Sequence, residues 1–171
     1  MKGLSATRLP GSRWVNALGL LIIVAALLFA VLYLEGVLYL EPCPLCIIDR
    51  VVLTGIGVVF LLATLHNPAR SGQRVYAGLN LLLAGLGSAV AGRHVWLQHL
   101  PADQVPECGA SLEYMLETLP LHQTLQKVLR GSGECADVQW SLLGLSIPEQ
   151  TLLLFAALAG IILLQLFRRT D

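Results

Sequence analysis

Charge is what this chain has least of. Asp, Glu, Lys and Arg make up 13% of its 171 residues, against about 25% in ordinary globular chains. Eleven basic and eleven acidic residues give a formal net charge of zero. No basic cluster is available to hold a phosphate backbone, so nucleic acid is excluded as a partner. The sequence also lacks a glycine-rich phosphate loop, a Ser/His/Asp arrangement, a haem or flavin motif and any internal repeat. Cysteine is sparse: Cys43, Cys46, Cys108 and Cys135 are the only four.

What is present is apolar. Hydrophobic residues make up 56% of the chain. Four runs, approximately 14–34, 47–65, 75–96 and 147–167, reach the roughly 20 apolar residues that a helix needs to cross a bilayer. The expected fold is all-α: one integral membrane domain over 1–171, a four-transmembrane-helix bundle. Its outer loops are 35–46 and 97–146, the long one carrying a short interfacial helix. Lys2, Arg8 and Arg13 precede the first run. That run is too long for the apolar part of a signal peptide and no A-x-A site follows it, so it reads as a retained helix.

An even number of spans places both termini on one side. Lys2, Arg8, Arg13, Arg70, Arg74, Arg168 and Arg169 fall on that side, where Asp171 is the only acid. Glu35, Glu41, Asp103, Glu107, Glu113, Glu117, Glu134 and Asp137 fall in the other two loops. Basic residues mark the cytoplasmic face, so the termini are expected there and the cysteines opposite. In a bacterium the opposite side is the periplasm, where disulfides persist.

The first run holds no charged residue from Trp14 through Leu34, so packing is expected of it and no chemistry. The second opens with Cys43-Pro44-Leu45-Cys46-Ile47-Ile48-Asp49-Arg50. Pro44 stiffens the motif. If the helix runs from Cys46, then Cys46 and Arg50 are i, i+4 neighbours on one face. A helix N-terminus favours the thiolate that performs disulfide exchange. Asp49 and Arg50 could also simply mark the membrane interface. Pro68 to Arg74 reads as a tight polar turn. In the third run, Gly85/Ala89 and Ser88/Gly92 are small-xxx-small pairs that allow close helix contact. Arg93 and His94 close that run at the depth of Arg50.

In the long loop, Leu112, Met115, Leu116 and Leu119 form one helical stripe, and Leu121, Leu125, Val128 and Leu129 another. Such pieces suit the interface plane. Gly131-Ser132-Gly133 gives Cys135 a mobile mount, and Ser146 with Glu149 fits a capping box that starts the fourth run.

Four extracytoplasmic cysteines admit three readings. Structural disulfides account for Cys108 and Cys135 but poorly for Cys43 and Cys46, whose loop is too small to add rigidity. A zinc site usually has two close pairs, and Cys108 and Cys135 are 27 positions apart, so no metal is expected. A redox relay needs a thiolate attacking an accessible sulfur, which a short pair at a helix N-terminus and a second pair in a long loop provide. Its electrons would leave to an acceptor dissolved in the lipid.

The chain resembles the bacterial DsbB family of membrane thiol:quinone oxidoreductases. The likeness rests on Cys43-x-x-Cys46-x-x-x-Arg50, on Arg93-His94 with Leu97-Gln98, on Gly133-Glu134-Cys135 through Gln139-Trp140, and on Leu143-Gly144-Leu145. It implies an inner-membrane enzyme that reoxidises a periplasmic DsbA-like dithiol protein and passes the electrons to quinone, ubiquinone or menaquinone. Quinone comes with the resemblance and not from the residues. In that scheme the partner attacks Cys108 of a Cys108–Cys135 disulfide, Cys135 attacks Cys43, and Cys46 reacts with the quinone. Arg50 and His94 are then the quinone contacts. A vitamin K epoxide reductase-like enzyme is the nearest alternative, but that group places its Cys-x-x-Cys after the loop pair. A non-catalytic scaffold with structural disulfides is the alternative of another class.

Overall fold

The structure, a computed structural model, describes residues 11–101, 103–106, 109 and 112–167. Helix α1 (Ser12–Leu28) continues into a π-helical segment, Phe29–Glu35. Then come α2 (Pro44–His66), α3 (Arg70–Gln98), the short loop helices α4 (Leu112–Thr118), α5 (Leu121–Arg130) and α6 (Gly133–Ala136), and finally α7 (Ile147–Phe167). The spans Ser12–Glu35, Pro44–His66, Arg70–Gln98 and Ile147–Phe167 are each long and apolar enough to cross a membrane. The fold is the expected four-helix membrane bundle. One minimal hairpin interrupts the all-α pattern: β1 (Ser141–Leu142) pairs antiparallel with β2 (Leu145–Ser146). Leu143 and Gly144, both at positive φ, make its two-residue turn, the geometry that matches strand twist.

Two helix starts differ from the hydropathy pattern. Helix α2 begins at Pro44 rather than 47, because proline at the first helical position has no N–H to lose. Cys43 is its N-cap, with extended backbone and with Sγ accepting the Cys46 N–H at 3.4 Å. Helix α3 begins at Arg70 rather than 75, so the turn contracts to the three residues after His66. Its first residues are polar but helix-compatible, which hydropathy does not register. At 29 residues it is about 43 Å long, so both ends outreach a hydrocarbon core about 30 Å thick.

Helix α3 packs against both α2 and α7, and α1 against α2. The core joins Ile23, Leu53, Ile56 and Phe60 to Phe155, Leu158 and Ile162. The buried face of α3 is Ala77, Asn80, Ala84, Gly87, Ala91, His94 and Leu97, a 3-and-4 spacing with small residues at the middle. The expected contact pairs are therefore displaced. Gly85 and Gly92 have open space beside them, while a Cβ on Gly87 would meet the Phe155 ring at 2.2 Å.

A polar clamp ties the other end of the bundle. Asn16 donates from Nδ2 to Gln73 Oε1 at 3.2 Å and accepts at Oδ1 from Gln165 Nε2 at 3.1 Å. It joins α1, α3 and α7 within apolar surroundings. Asn16→Ala is expected to cost about 1 kcal/mol, since interhelical hydrogen bonds in membranes average about 0.6 and reach about 1.7 kcal/mol. Thermal unfolding in detergent would register it as a lower midpoint.

The loop helices form where the two stripes fall, but the second stripe splits. Met115 is buried on α4, and Thr124 and Val128 on α5. Leu121, Leu125 and Leu129 are exposed, the kind of apolar row that an interfacial helix presents. Cys135 does not sit on a mobile mount. Gly131, at φ +82°, is so close to α3 that a Cβ there would lie 2.3 Å from Leu97 Cδ1. This holds α6 against α3, and Cys135 is 1% exposed. The Ser146/Glu149 capping box is made from the Glu149 side, which accepts the Ser146 N–H at 2.7 Å.

Candidate active site

The antiparallel course of α2 and α3 brings the first turn of one level with the last turns of the other. Cys43 and Cys46 stand at the start of α2, and the thiols are 3.1 Å apart at sulfur. His94 reaches across from the buried face of α3. Its Nε2 is 3.7 Å from Cys43 Sγ and its Nδ1 is 4.0 Å from Cys46 Sγ. Cys43 is buried and Cys46 half-buried. Cys135 joins Cys43 in a second buried cluster with Leu45, Leu97, Met115 and Val128. Cys43 thus neighbours both Cys46 and Cys135. Cys108, the fourth cysteine, lies outside the described residues.

The thiol of Cys135 is held well above its ordinary pKa, first by its hydrogen-bonded contact with the Cys43 thiol and then by burial. A protonated, buried thiol is a poor nucleophile. Reduced Cys135 is therefore expected to react with iodoacetamide at pH 8 at least about a hundredfold more slowly than a free thiol. Its rate should rise about tenfold per pH unit across the alkaline range. Mass-spectrometric alkylation kinetics would check both. The first cause of that hold disappears whenever Cys43 is in a disulfide, so Cys135 becomes more acidic in that state.

Beside the cysteines lies a cavity of about 260 Å³. Leu27, Phe29, Leu34, Leu53 and Leu154 supply apolar wall, and Cys46, Asp49, Arg50, His94 and Gln98 supply the polar end. Arg50 donates from Nη1 to Glu35 Oε1, the one salt bridge among the described residues. Helix α1 therefore does more than pack. Its π-helical end lines the cavity and delivers Glu35 to Arg50. Single π-type insertions of this kind recur at functional sites. Trp140 also lines the cavity and stands 5.9 Å from Phe29, ring to ring.

The structure places Cys43, Cys46, Arg50, His94 and Cys135 around one centre. Asp49, for which the sequence leaves open both an interface and a functional role, is 4% exposed, and its Oδ1 has no hydrogen-bond partner among the described residues. Gln98 Oε1 is likewise buried without a partner. From sequence, Glu35 is only one of the loop charges. Its place 15 positions before Arg50, across a non-helical loop, carries no sequence signal of the pair it forms.

A family model described as "Disulfide bond formation protein DsbB" matches residues 12–165. The chain belongs to this family. It is 54% identical over 157 residues to "Disulfide bond formation protein B" of Nitrosococcus oceani, covering 91% of this chain and 92% of that protein. The protein of the same name from Marinobacter nauticus is 52% identical over 158 residues, with 92% and 94% covered. That of Stutzerimonas stutzeri is 51% identical over 146 residues, with 85% and 90% covered. DsbB membership makes this a disulfide bond formation protein, and its four apolar helices make it a multi-pass membrane protein.

Proposed function

We propose that this DsbB-family protein reoxidises a periplasmic DsbA-like dithiol protein and passes the electrons to membrane quinone. It sits in the bacterial inner membrane with both termini cytoplasmic and its cysteines on the periplasmic side. The observation that carries the reading is that Cys43 neighbours both Cys46 and Cys135, with Cys46 on a cavity within the helix bundle. An exchange arriving through Cys135 and leaving through Cys46 needs both neighbours.

The cavity suits a quinone. It offers apolar wall for a flat ring and tail, and at its polar end Arg50 and His94 supply N–H groups for a carbonyl oxygen. The quinone supplies a two-electron, two-proton acceptor. The chain's own steps are disulfide exchanges. A partner thiolate bonds to Cys108, the Cys108–Cys135 bond breaks, and Cys135 leaves with the electron pair. Cys135 attacks Cys43 and Cys46 is released as a thiolate. The partner's second thiol displaces Cys108, completing the partner's disulfide. Cys108 then displaces Cys43 from Cys135 and restores the loop pair. Cys43 and Cys46 are left as a dithiol, and their oxidation sends two electrons and two protons to the acceptor. Arg50 stabilises negative charge as it develops on an acceptor oxygen. His94, within reach of both sulfurs, is placed to take and return a proton.

Glu35 competes for Arg50 in this scheme. Glu35→Gln frees the guanidinium and is expected to lower the KM for quinone without lowering kcat. Partly exposed pairs are worth up to about 1 kcal/mol, so the change should reach about fivefold at most. Steady-state kinetics with varied quinone would read it.

The test of the function uses the purified protein, a reduced DsbA-like partner and ubiquinone or menaquinone, with quinone absorbance followed over time. Partner-dependent loss of oxidised quinone is expected. No loss with either quinone would leave the cysteines as structural disulfides.

A further inference from the structure

We propose that the dithiol form of the α2/α3 centre is a binding site for a thiophilic divalent cation of the zinc class, held by Cys43, Cys46 and His94. The disulfide form is not such a site. The proposal stands apart from the electron-transfer reading, since it needs only the two thiols and the imidazole.

The three donor atoms, one from each side chain, all lie within 4.8 Å of one another. Tetrahedral zinc, with bonds of about 2.3 Å to sulfur and about 2.0–2.1 Å to nitrogen, sets its ligands about 3.8 Å apart for S···S and about 3.6 Å for S···N. The centre shows 3.1 Å between sulfurs and 3.7 Å from Cys43 Sγ to His94 Nε2. The third distance, from Cys46 Sγ to the ligating nitrogen, lies within 4.8 Å, so side-chain rotations of about an ångström or less close the remaining gap. The spacing in sequence hides this set, because the imidazole comes from another helix, 48 positions after Cys46.

A second observation points the same way. Asp49, one turn along α2 from Cys46, is buried to 4% exposure, and its Oδ1 has no hydrogen-bond partner among the described residues. Arg50, the next residue, is paired with Glu35. A buried carboxyl oxygen without a hydrogen-bond partner, beside two thiols and an imidazole, favours a bound cation. The cavity gives the cation a way in, and its open volume leaves room for a fourth ligand from water.

Binding involves no change of oxidation state. Two S–H bonds give up their protons to solvent and two metal–thiolate bonds form. The cation therefore competes with protons and with disulfide formation. Because it binds the reduced form alone, each tenfold rise in free zinc above the dissociation constant raises the midpoint potential of the Cys43/Cys46 pair by about 30 mV. Zinc would thus hold the centre reduced and withhold it from its oxidant.

The full-length protein in detergent, reduced with a phosphine and desalted without air, would be titrated with zinc chloride against a chromophoric chelator. One equivalent per chain is expected, bound at least tenfold more tightly by the dithiol form than by the disulfide form. Cys108→Ser should retain that equivalent. His94→Gln should weaken it at least tenfold. Since His94 is buried and its replacement could unfold the site, X-ray absorption on the zinc-loaded natural chain gives an independent reading. Two sulfur neighbours with nitrogen or oxygen neighbours support the site. Equal binding by the two redox forms, loss of the equivalent in Cys108→Ser, or a shell made only of sulfur would overturn it.

Discussion

Cys46→Ser is expected to lower partner-dependent quinone reduction by about a thousandfold or more, as the loss of a reacting nucleophile does, while the protein still accumulates in the membrane. The sulfur at this position faces the cavity and is half-buried, so the oxygen of serine fits with little repacking. The chemistry is lost because a Cys43–Cys46 disulfide can no longer form. Quinone absorbance in the purified variant checks the turnover, and helical circular dichroism checks the fold. Retained turnover would remove Cys46 from the relay and with it the proposed exit for electrons. A structural-disulfide scaffold has no turnover to lose, so the natural protein and the variant would then be equally silent in the assay.

The variant also separates the two proposals made for the same centre. Tight zinc binding by the dithiol form needs both sulfurs, and Cys46→Ser should abolish it. Arg50→Ala removes a proposed quinone contact but no proposed metal ligand. It should impair quinone reduction and leave zinc binding in place.

Much of this centre was legible in the sequence because its elements are local. Cys43, Pro44, Cys46 and Arg50 lie within two turns of one helix, so spacing alone sets their relation. His94 was legible in depth, being level with Arg50 at the ends of antiparallel spans, but its contact with both sulfurs depends on how α3 is rotated. That rotation is fixed by the small-residue face Ala84, Gly87 and Ala91. The sequence offers a competing set of small residues one step away, and the choice between them is made by Phe155 on a helix about 70 positions later. Asp49 and Glu35 were illegible for a related reason. A charge near the end of a span looks the same whether it reaches water or turns inward, and only the neighbouring helices decide. The glycines before Cys135 suggest a flexible mount. Gly131 instead permits close approach, and its missing side chain is the space that Leu97 fills.

Gly87 is consequently where packing and chemistry meet, and Gly87→Ala is expected to cost about 2–3 kcal/mol. A Cβ there would lie 2.2, 2.3 and 2.7 Å from three Phe155 ring carbons, and Phe155 is fully buried in the core with no solvent to swing into. Overpacking of this kind costs about 1–3 kcal/mol. Gly85→Ala and Gly92→Ala are the controls. Their sites are open, so each should stabilise the helix, by about 0.5–1 kcal/mol. Thermal unfolding in detergent would give the opposite signs. Phe155→Leu combined with Gly87→Ala should cost less than the two single changes summed, the coupling expected of residues in contact. Function should follow, because His94 lies two turns beyond Gly87 on the same face of α3. Forcing α3 away from α7 moves the imidazole relative to Cys43 and Cys46, so Gly87→Ala should lower turnover even at temperatures where the protein stays folded. The open-site controls should not. A loss of stability in Gly87→Ala without any loss of turnover would mean that α3 absorbs the change below His94, and that the site is held by the loop helices rather than by the bundle.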